Sequence, residues 1–240
     1  TRLQLPKQHY FGEVIRYNRV PDIANKPHAI TYCPDDYRIY MITRGDNAND
    51  TVLHRINMIS LQVEGSWFFE EGTFTRWNGI AAGIAYGNGQ LYIVEYDPVN
   101  LGAVCIRFKV DALPPQGVRI TKSNVGAIES ANSIDSVAAE VFNDIAYDAG
   151  RNLIWALKYK NTSDHKLVRL KTDFIENGTL AYDANTVNTS SLDTSISGID
   201  YDGDFLWFTG ETWSGRMSVN GVVNAKWKRY GKTGICYISD

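Results

Sequence analysis

One short pattern recurs five times along the chain: a small residue, isoleucine, any residue and then tyrosine. The copies are Ala29-Ile30-Thr31-Tyr32, Gly83-Ile84-Ala85-Tyr86, Asp144-Ile145-Ala146-Tyr147, Gly198-Ile199-Asp200-Tyr201 and Gly234-Ile235-Cys236-Tyr237. Turn residues follow the first four copies, among them Asn88-Gly89 and Asp202-Gly203. Asn-Gly and Asp-Gly readily adopt the positive φ angles of two-residue hairpin turns. The repeat therefore predicts a series of equivalent β-hairpins.

Each predicted hairpin continues into a second strand with an aromatic residue and a third strand with an arginine. The aromatic positions are Tyr40, Tyr92, Trp155 and Trp207, and the arginine positions are Arg55, Arg107, Arg169 and Arg229. Weaker fourth strands are predicted at 66–75, 117–122 and 179–186. Four-stranded units repeated in order are the signature of β-propeller blades. Because the aromatic position repeats with its apolar neighbours, we expect it to pack between adjacent blades.

The predicted fold class is all-β, with a single small β-propeller domain over residues 1–240. Residues 12–17 resemble an extra third strand and 234–237 an extra first strand, so the two termini are expected to complete one blade. Five blades are predicted, with four as the alternative, whereas a sandwich of unrelated strands would not repeat in this order. The expected blades span 28–80, 81–140, 141–195 and 196–232, with a closing blade from 10–18 and 233–240.

Composition excludes several classes of protein. Lys and Arg number 24 against 27 Asp and Glu, a net charge of −3, which argues against nucleic acid as a partner. No apolar run approaches the ~20 residues that span a bilayer, so no membrane insertion is expected. Three distant cysteines and four histidines without ligand spacing predict no disulfide framework and no metal site. No phosphate loop is present, because no helix follows Gly87-Asn88-Gly89, and no cofactor is predicted.

The blade pattern resembles that of a known architecture. A Gly-Ile-x-Tyr strand, an Asp/Asn-Gly turn and an apolar-aromatic-apolar strand are similar to the blades of NHL-type and related propellers. The resemblance covers most of the chain and implies a β-propeller architecture. No Trp-Asp dipeptide closes the blades, and the sialidase Asp-box is absent. Since propellers serve as enzymes, lectins, receptors and scaffolds, the resemblance leaves function to be argued from the loops.

Candidate ligand-binding residues lie at one predicted end of the blades, where loops enter the first strands or join second to third strands. These positions differ from blade to blade while the strand positions repeat, as a single asymmetric site requires. Trp and Tyr side chains suit stacking on a sugar or a protein surface. The predicted residues are His28, Arg44, Trp77, Glu95, Tyr96, Asp144, Tyr159, Glu211 and Trp213.

Two classes of function follow from these loops. The first is a non-catalytic module that binds a glycan or a protein receptor, with a composition resembling adhesins and phage tail or receptor-binding proteins. This interpretation favours an extracellular or virion-surface location and leaves the oligomeric state open. The alternative is a propeller glycoside hydrolase or lyase that uses Glu95, Asp144 or Glu211, because glycoside hydrolysis needs two carboxylates held about 5–9 Å apart.

Overall fold

The structure, a computed structural model, describes ten stretches of the chain. They cover residues 26–44, 51–70, 80–97, 102–121, 129–131, 141–161, 164–172, 182–189, 196–210 and 212–228. Within these stretches the regular structure is sixteen β-strands and one short 3₁₀ turn, Val110–Ala112. No helix of the described residues has the length and hydropathy to cross a membrane.

The strands form four antiparallel sheets of four strands each, which we number as blades 1 to 4. Blade 1 consists of β1 Lys26–Cys33, β2 Arg38–Arg44, β3 Val52–Asn57 and β4 Val63–Phe68. Blade 2 consists of β5 Ile80–Gly87, β6 Gln90–Asp97, β7 Gly102–Lys109 and β8 Glu129–Ala131. Blade 3 consists of β9 Val141–Asp148, β10 Leu153–Asn161, β11 Asp164–Lys171 and β12 Tyr182–Asn188. Blade 4 consists of β13 Ile196–Tyr201, β14 Phe205–Gly210, β15 Trp213–Ser218 and β16 Val223–Lys228.

The arrangement of these sheets is that of a β-propeller. In each blade the strands pair in chain order, so the first strand lies at one edge and the fourth at the other. The first strands pack against one another in sequence, β1 on β5, β5 on β9 and β9 on β13. Four sheets joined along their inner edges are blades around a common axis. The predicted all-β propeller is confirmed.

The core lies between blades, as predicted for the aromatic position of the second strand in blades 1 to 3, whereas Trp207 of blade 4 is half-buried. Tyr40 packs in one cluster with Ile84 and Leu91 of blade 2. Tyr92 packs with Ile145 of blade 3 in a second cluster, and Trp155 packs with Ile199 of blade 4 in a third. All three aromatic side chains are buried. Each blade is therefore stabilised mainly by burial of apolar surface against its neighbour.

The register pairs each of these aromatic residues with an arginine of the third strand. The pairs are Tyr40 with Arg55, Tyr92 with Arg107, Trp155 with Arg169 and Trp207 with Arg216. In the last three pairs the guanidinium lies 5.6–6.0 Å from the centre of the partner's ring, a cation–π contact.

In blade 4 the prediction of the third strand was wrong. The predicted residue, Arg229, lies outside the described residues, and the position is taken by Arg216 in β15. Only two residues separate β14 from β15. The residues before Arg216 in β15 are Ser214 and Gly215, which lack the apolar side chains that flank the arginine in the other blades. A Cβ atom on Gly215 would lie 2.4 Å from the Ala225 carbonyl oxygen, so close packing requires glycine there.

The predicted fourth strands have different outcomes. Those at 66–75 and 179–186 overlap β4 and β12. The prediction at 117–122 was wrong, because the fourth strand of blade 2 is the three-residue β8. Residues 113–120 instead cross to blade 1, where Ile120 forms a parallel bridge with Phe69. We call residues 113–120 the clasp.

The predicted closing blade, 10–18 with 233–240, lies outside the described residues. One apolar cluster in the described part of blade 1 is relevant to this prediction. It consists of Tyr32, Ile39, Met41 and Ile56. Side chains alternate between the two faces of a strand. Since Tyr40 and Ile42 face blade 2, Ile39 and Met41 lie on the face of β2 that is turned away from blade 2. A fifth blade stays a prediction.

Candidate functional site

The two ends of the blades differ in construction. At the end that we call the loop end, the first strands begin and the second strands pass into the third. At the opposite end, the turn end, the first strands finish in short hairpin turns such as Asn88-Gly89. Asn88 and Gly89 have φ angles of 53° and 76°, as their dipeptide predicts for a two-residue hairpin turn.

Strand register places six of the nine predicted site residues at the loop end. Lys26 pairs with Arg44, Ile80 with Tyr96, Ala81 with Glu95, Val141 with Tyr159 and Trp213 with Lys228, while His28 lies near the start of β1. Trp77 and Glu211 lie outside the described residues. For Arg44, Glu95, Tyr96 and Tyr159, the strand position alone is described.

Two of these side chains are described. His28 is exposed, and the Trp213 ring is half-buried. The Lys226 ammonium nitrogen lies 4.8 Å from the centre of the Trp213 ring. A half-buried indole at the end of a strand leaves apolar surface in contact with solvent, where it can pack on a ligand. The role of these residues in ligand binding stays a prediction.

Asp144 occupies a different place from the loop residues with which it was grouped. It is buried in β9, where one carboxylate oxygen accepts the Ile145 N–H and the other accepts the Ile199 N–H, each at 2.9 Å. Burial raises the pKa of this carboxyl well above its ordinary value, although both N–H groups act in the opposite direction. Because Ile199 belongs to blade 4, Asp144 joins blade 3 to blade 4.

Gly83 explains how the Asp144 carboxyl fits between blades. A Cβ atom at Gly83 would lie 2.6 Å from the Cα atom of Asp144 and 2.7 Å from its Oδ1. Glycine is therefore required at this position of blade 2, where β5 and β9 approach closely. The carboxyl is held against backbone on two sides, and its part in ligand binding stays a prediction.

A cavity of about 480 Å³ lies at the turn end. All four blades contribute to its wall through the last residues of their first strands and through the turns that follow. The repeated tyrosines line it, one from each blade: Tyr32, Tyr86, Tyr147 and Tyr201. Sequence reasoning used this tyrosine position as a marker of the fold and did not predict the cavity. The signal was a polar aromatic residue at the same end of every inner strand.

The tyrosines join neighbouring blades around the cavity. The Tyr86 hydroxyl donates to Asp35 of blade 1, and its backbone N–H donates to Thr31 Oγ1 at 3.1 Å. The Tyr147 ring stacks on Tyr92 of blade 2, with ring centres 5.6 Å apart. A Cβ atom on Gly87 would lie 2.1 Å from the same ring, so glycine makes room for it.

Blades 3 and 4 are linked in the same way. Arg151 donates to the Tyr201 hydroxyl at 3.0 Å and forms an ion pair with Asp148 at 2.8 Å. These contacts raise the pKa of Arg151, and burial raises the pKa values of Tyr86 and Tyr147, so all three side chains keep their protons near neutral pH. The hydrogen-bonded wall therefore does not change its charge through these groups.

The wall of the cavity is acidic. Asp35, Asp200 and Asp202 belong to it, whereas its described lining contains no lysine, arginine or histidine. Among the described residues, no group of three or more His, Cys, Asp or Glu side chains has a geometry that could hold a metal ion. Asp202 accepts the Asp204 and Phe205 N–H groups and Trp207 Nε1, and Asp200 accepts the Tyr201 N–H, so both carboxylates are hydrogen-bonded within blade 4.

Comparisons with known proteins concern the fold alone. No protein-family model and no curated protein matches the chain. Among solved structures, the Dos1 propeller is similar at 11% identity over 88% of this chain and 50% of that one, with a TM-score of 0.48. The Neurospora crassa Pan2 WD40 domain is similar at 9% identity over 85% of this chain and 50% of that one, with a TM-score of 0.46.

A third similar structure is the β-propeller domain of Myceliophteria thermophila Cps50 (Swd1). The identity is 6% over 87% of this chain and 56% of that one, with a TM-score of 0.46. The chain spans about half the length of these solved structures.

Proposed function

We propose that this propeller is a non-catalytic recognition module that binds a glycan or a protein receptor through its loop end. The observation that carries the proposal is the division of the blade into repeated and variable positions. Repeated positions such as Tyr92 and Ile145 are buried between blades. Equivalent loop-end positions vary: one carries Thr43, Glu95 and Lys158 in successive blades, and the next carries Arg44 where the other two blades have tyrosine. A ring of similar blades whose loop-end side chains differ from blade to blade can form a single asymmetric binding site.

Trp213 supports a binding surface at this end. Its ring is half-buried beside Lys226, and a tryptophan placed in this way offers an apolar face together with an N–H donor. Tryptophan and tyrosine supply large contact areas at a low cost in conformational entropy, which is why they are frequent in binding sites for proteins. The same rings stack on the apolar faces of sugars.

The alternative is a propeller enzyme that acts on glycans through Glu95, Asp144 or Glu211. The raised pKa of Asp144 suits a general acid. Both oxygens of Asp144 accept backbone N–H groups, however, and this holds the carboxyl against blade 4. The enzyme proposal therefore depends on Glu95 and Glu211. We favour the binding module.

A glycan array and an array of receptor ectodomains, each with a parallel assay for product, would test the proposal. We expect binding without turnover, and Trp213→Ala should weaken the interaction about tenfold or more, as loss of a binding hot spot does. Tyr37→Ala is the matched control, because Tyr37 is an aromatic residue that is 66% exposed in a turn-end hairpin. Product formation, absence of any binding, or an equal loss in both variants would contradict the proposal.

A further inference from the structure

We propose that the side of β13 turned away from blade 3 is a docking surface for residues 234–237 of this chain, where the Asp200 carboxylate accepts the backbone N–H of Tyr237. The fifth copy of the repeat predicts a further inner strand, but it does not say where this strand attaches or in which register. The proposal goes beyond the recognition module above, because it concerns a contact within the chain and needs no ligand. It rests on the register that successive inner strands keep from blade to blade.

Hydrogen bonds between successive inner strands follow one rule. Thr31, the third residue of its repeat copy, accepts the N–H of Tyr86, the fourth residue of the next copy, at 3.1 Å. Asp144, the first residue of its copy, accepts the N–H of Ile199, the second residue of the next copy, at 2.9 Å. In both cases a side chain on one inner strand meets the N–H that lies one repeat position further along the next inner strand.

Gly83 shows the same register between blades 2 and 3. It is the first residue of its copy, and a Cβ atom at Gly83 would lie 2.9 Å from the backbone nitrogen of Ile145, the second residue of the next copy. Glycine carries no acceptor in its side chain, and this N–H donates instead to Asp144 Oδ1. The three described interfaces between inner strands therefore share one register. In a ring of equivalent blades, we expect the next inner strand to keep it.

Asp200 occupies the position in blade 4 from which this register continues. It is the third residue of its copy, as Thr31 is in blade 1. Its Oδ1 accepts the N–H of the following residue, Tyr201, at 2.8 Å, just as Asp144 Oδ1 accepts the N–H of Ile145. In Asp144 the second oxygen, Oδ2, accepts the N–H of the next inner strand. By the same geometry Asp200 Oδ2 accepts the N–H of the fourth residue of the inner strand that follows blade 4.

Residues 234–237 are the segment that fits this position. They form the fifth copy of the repeat, so the fourth residue of the next inner strand is Tyr237. Six residue steps separate Gly234 from Lys228, the last residue of β16. An extended chain of this length spans about 20 Å. Because the first and fourth strands of a blade are only about 14 Å apart, the segment can reach the axis from the outer strand of blade 4.

The contact satisfies a requirement that every inner strand has. One edge of an inner strand pairs with the second strand of its own blade, and the N–H groups of the other edge need acceptors elsewhere. Thr31 and Asp144 supply such acceptors to the inner strands of blades 2 and 4. A hydrogen bond to an ionised acceptor is roughly twice as strong as a neutral one, so Asp200 suits the attachment of a further strand.

Hydrogen exchange in the full chain, labelled with ¹⁵N and followed by NMR, would test the proposal. We expect the amide of Tyr237 to be protected, as that of Ile199 should be through its bond to Asp144. Asp200→Asn keeps the shape of the side chain but replaces one acceptor oxygen with a donor. It should accelerate exchange at Tyr237 about tenfold or more, since hydrogen bonds to charged groups are worth this factor. Asp204→Asn, at an exposed position of the same blade, is the matched control and should leave Tyr237 unchanged.

Several results would overturn the proposal. They are exchange of the Tyr237 amide at the rate of an unstructured chain, and equal effects of Asp200→Asn and Asp204→Asn. If Asp200→Asn accelerates an amide outside 234–237 and leaves Tyr237 unchanged, another segment occupies the surface. Protection of Tyr237 that increases with protein concentration would assign the surface to a second copy of the chain, which also overturns the proposal.

Two variants of residue 237 serve if Asp200→Asn does not fold. Tyr237→Pro removes the N–H, whereas Tyr237→Ala removes the ring and keeps the N–H. We expect Tyr237→Pro to melt at a lower temperature than Tyr237→Ala, and equal melting temperatures would overturn the proposal. These measurements use no ligand, so failure of the loop-end proposal leaves this one standing.

Discussion

Individual side chains show how the polar groups of the second-strand aromatic residues find hydrogen-bond partners. In three blades an aspartate in the hairpin turn or at the end of the first strand accepts a hydrogen bond from the aromatic residue of the second strand. The bonds are Tyr40 Oη to Asp36 at 2.8 Å, Trp155 Nε1 to Asp148 at 3.2 Å and Trp207 Nε1 to Asp202 at 2.7 Å. Because a buried donor without a partner is costly, Asp36 and Asp148 allow the buried Tyr40 and Trp155 rings to pack between blades.

At this scale we predict a large difference between two tryptophans. Trp155 is 1% exposed, so Trp155→Ala should lower the free energy of unfolding by about 3–5 kcal/mol through loss of burial and a cavity. Trp213 is half-buried, and Trp213→Ala should cost far less. Chemical denaturation of both variants measures the difference. Greater destabilisation by Trp213→Ala would contradict the division into packing positions and site positions.

A second residue-scale prediction concerns His54, whose ring is buried inside blade 1. Its Nδ1 lies 2.8 Å from Ser66 Oγ and its Nε2 lies 2.9 Å from Thr43 Oγ1. Burial lowers the pKa of His54 from 6.5 to about 4, so the folded protein holds the ring neutral. The neutral ring stabilises the fold above the unfolded-state pKa. This contribution should be lost as the pH falls from about 6.5 towards 4.

The test compares the wild type with His54→Gln, which keeps a donor and an acceptor but does not titrate. The free energy of unfolding should fall less steeply with decreasing pH in the variant than in the wild type over this range. Carboxylates titrate in both proteins, so the difference between the two curves isolates the histidine. Parallel curves would show that His54 has an ordinary pKa.

Among the elements, the clasp, residues 113–120, shows how blades 1 and 2 are joined at their outer edges as well as at the axis. Trp67 Nε1 donates to the Pro114 carbonyl at 2.7 Å. Ile120 donates its N–H to the Phe68 carbonyl at 2.8 Å and accepts from the Glu70 N–H at 2.9 Å. These bonds satisfy part of the exposed edge of β4, which would otherwise be open to pairing with another chain.

We expect the clasp to contribute measurably to stability. Ile120 is fully buried, so Ile120→Ala should cost about 2–5 kcal/mol. Val118 lies in the same segment but is 46% exposed, and Val118→Ala should change stability by less than about 0.5 kcal/mol. Urea denaturation measures both values. If the two variants are equally stable, the clasp is a surface loop without a packing role.

For the whole molecule, stability is distributed over successive interfaces between blades. Three apolar clusters join blade 1 to blade 2, blade 2 to blade 3 and blade 3 to blade 4. The cluster of Tyr32, Ile39, Met41 and Ile56 lies on the other face of blade 1 and is buried. We expect a closing blade from both termini to pack against this face.

Deletion of residues 1–18 tests that expectation. Loss of a strand shared between the termini should abolish cooperative unfolding at moderate temperature, because the ring would open at blade 1. A chain in which 1–18 are replaced by a Gly/Ser segment of equal length is the control for chain length and should behave like the deletion. Differential scanning calorimetry measures both. If either chain melts like the full-length protein, residues 1–18 are a tail.

The sequence alone was sufficient for the repeating hairpins, the aromatic position between blades and the propeller. The hairpins depend on interactions within a few residues, namely strand alternation and turns such as Asn88-Gly89 that adopt positive φ, and the repetition of one pattern in order indicates the propeller. Strand polarity also follows from the sequence, which is why the loop-end residues of the candidate site share one end of the blades.

Other features were decided by tertiary contacts between residues that are distant in the chain. Arg216 is the third-strand arginine of blade 4 because Gly215 lets β15 pack closely against Phe208 and the Ala225 carbonyl. Ile120 was expected in the fourth strand of blade 2, but it pairs with Phe69 of blade 1 instead. The burial of Asp144 against Ile199, and the cavity among four strand ends, arise only when blades meet. Local pattern determines the strands, whereas packing between blades determines their edges and the cavity.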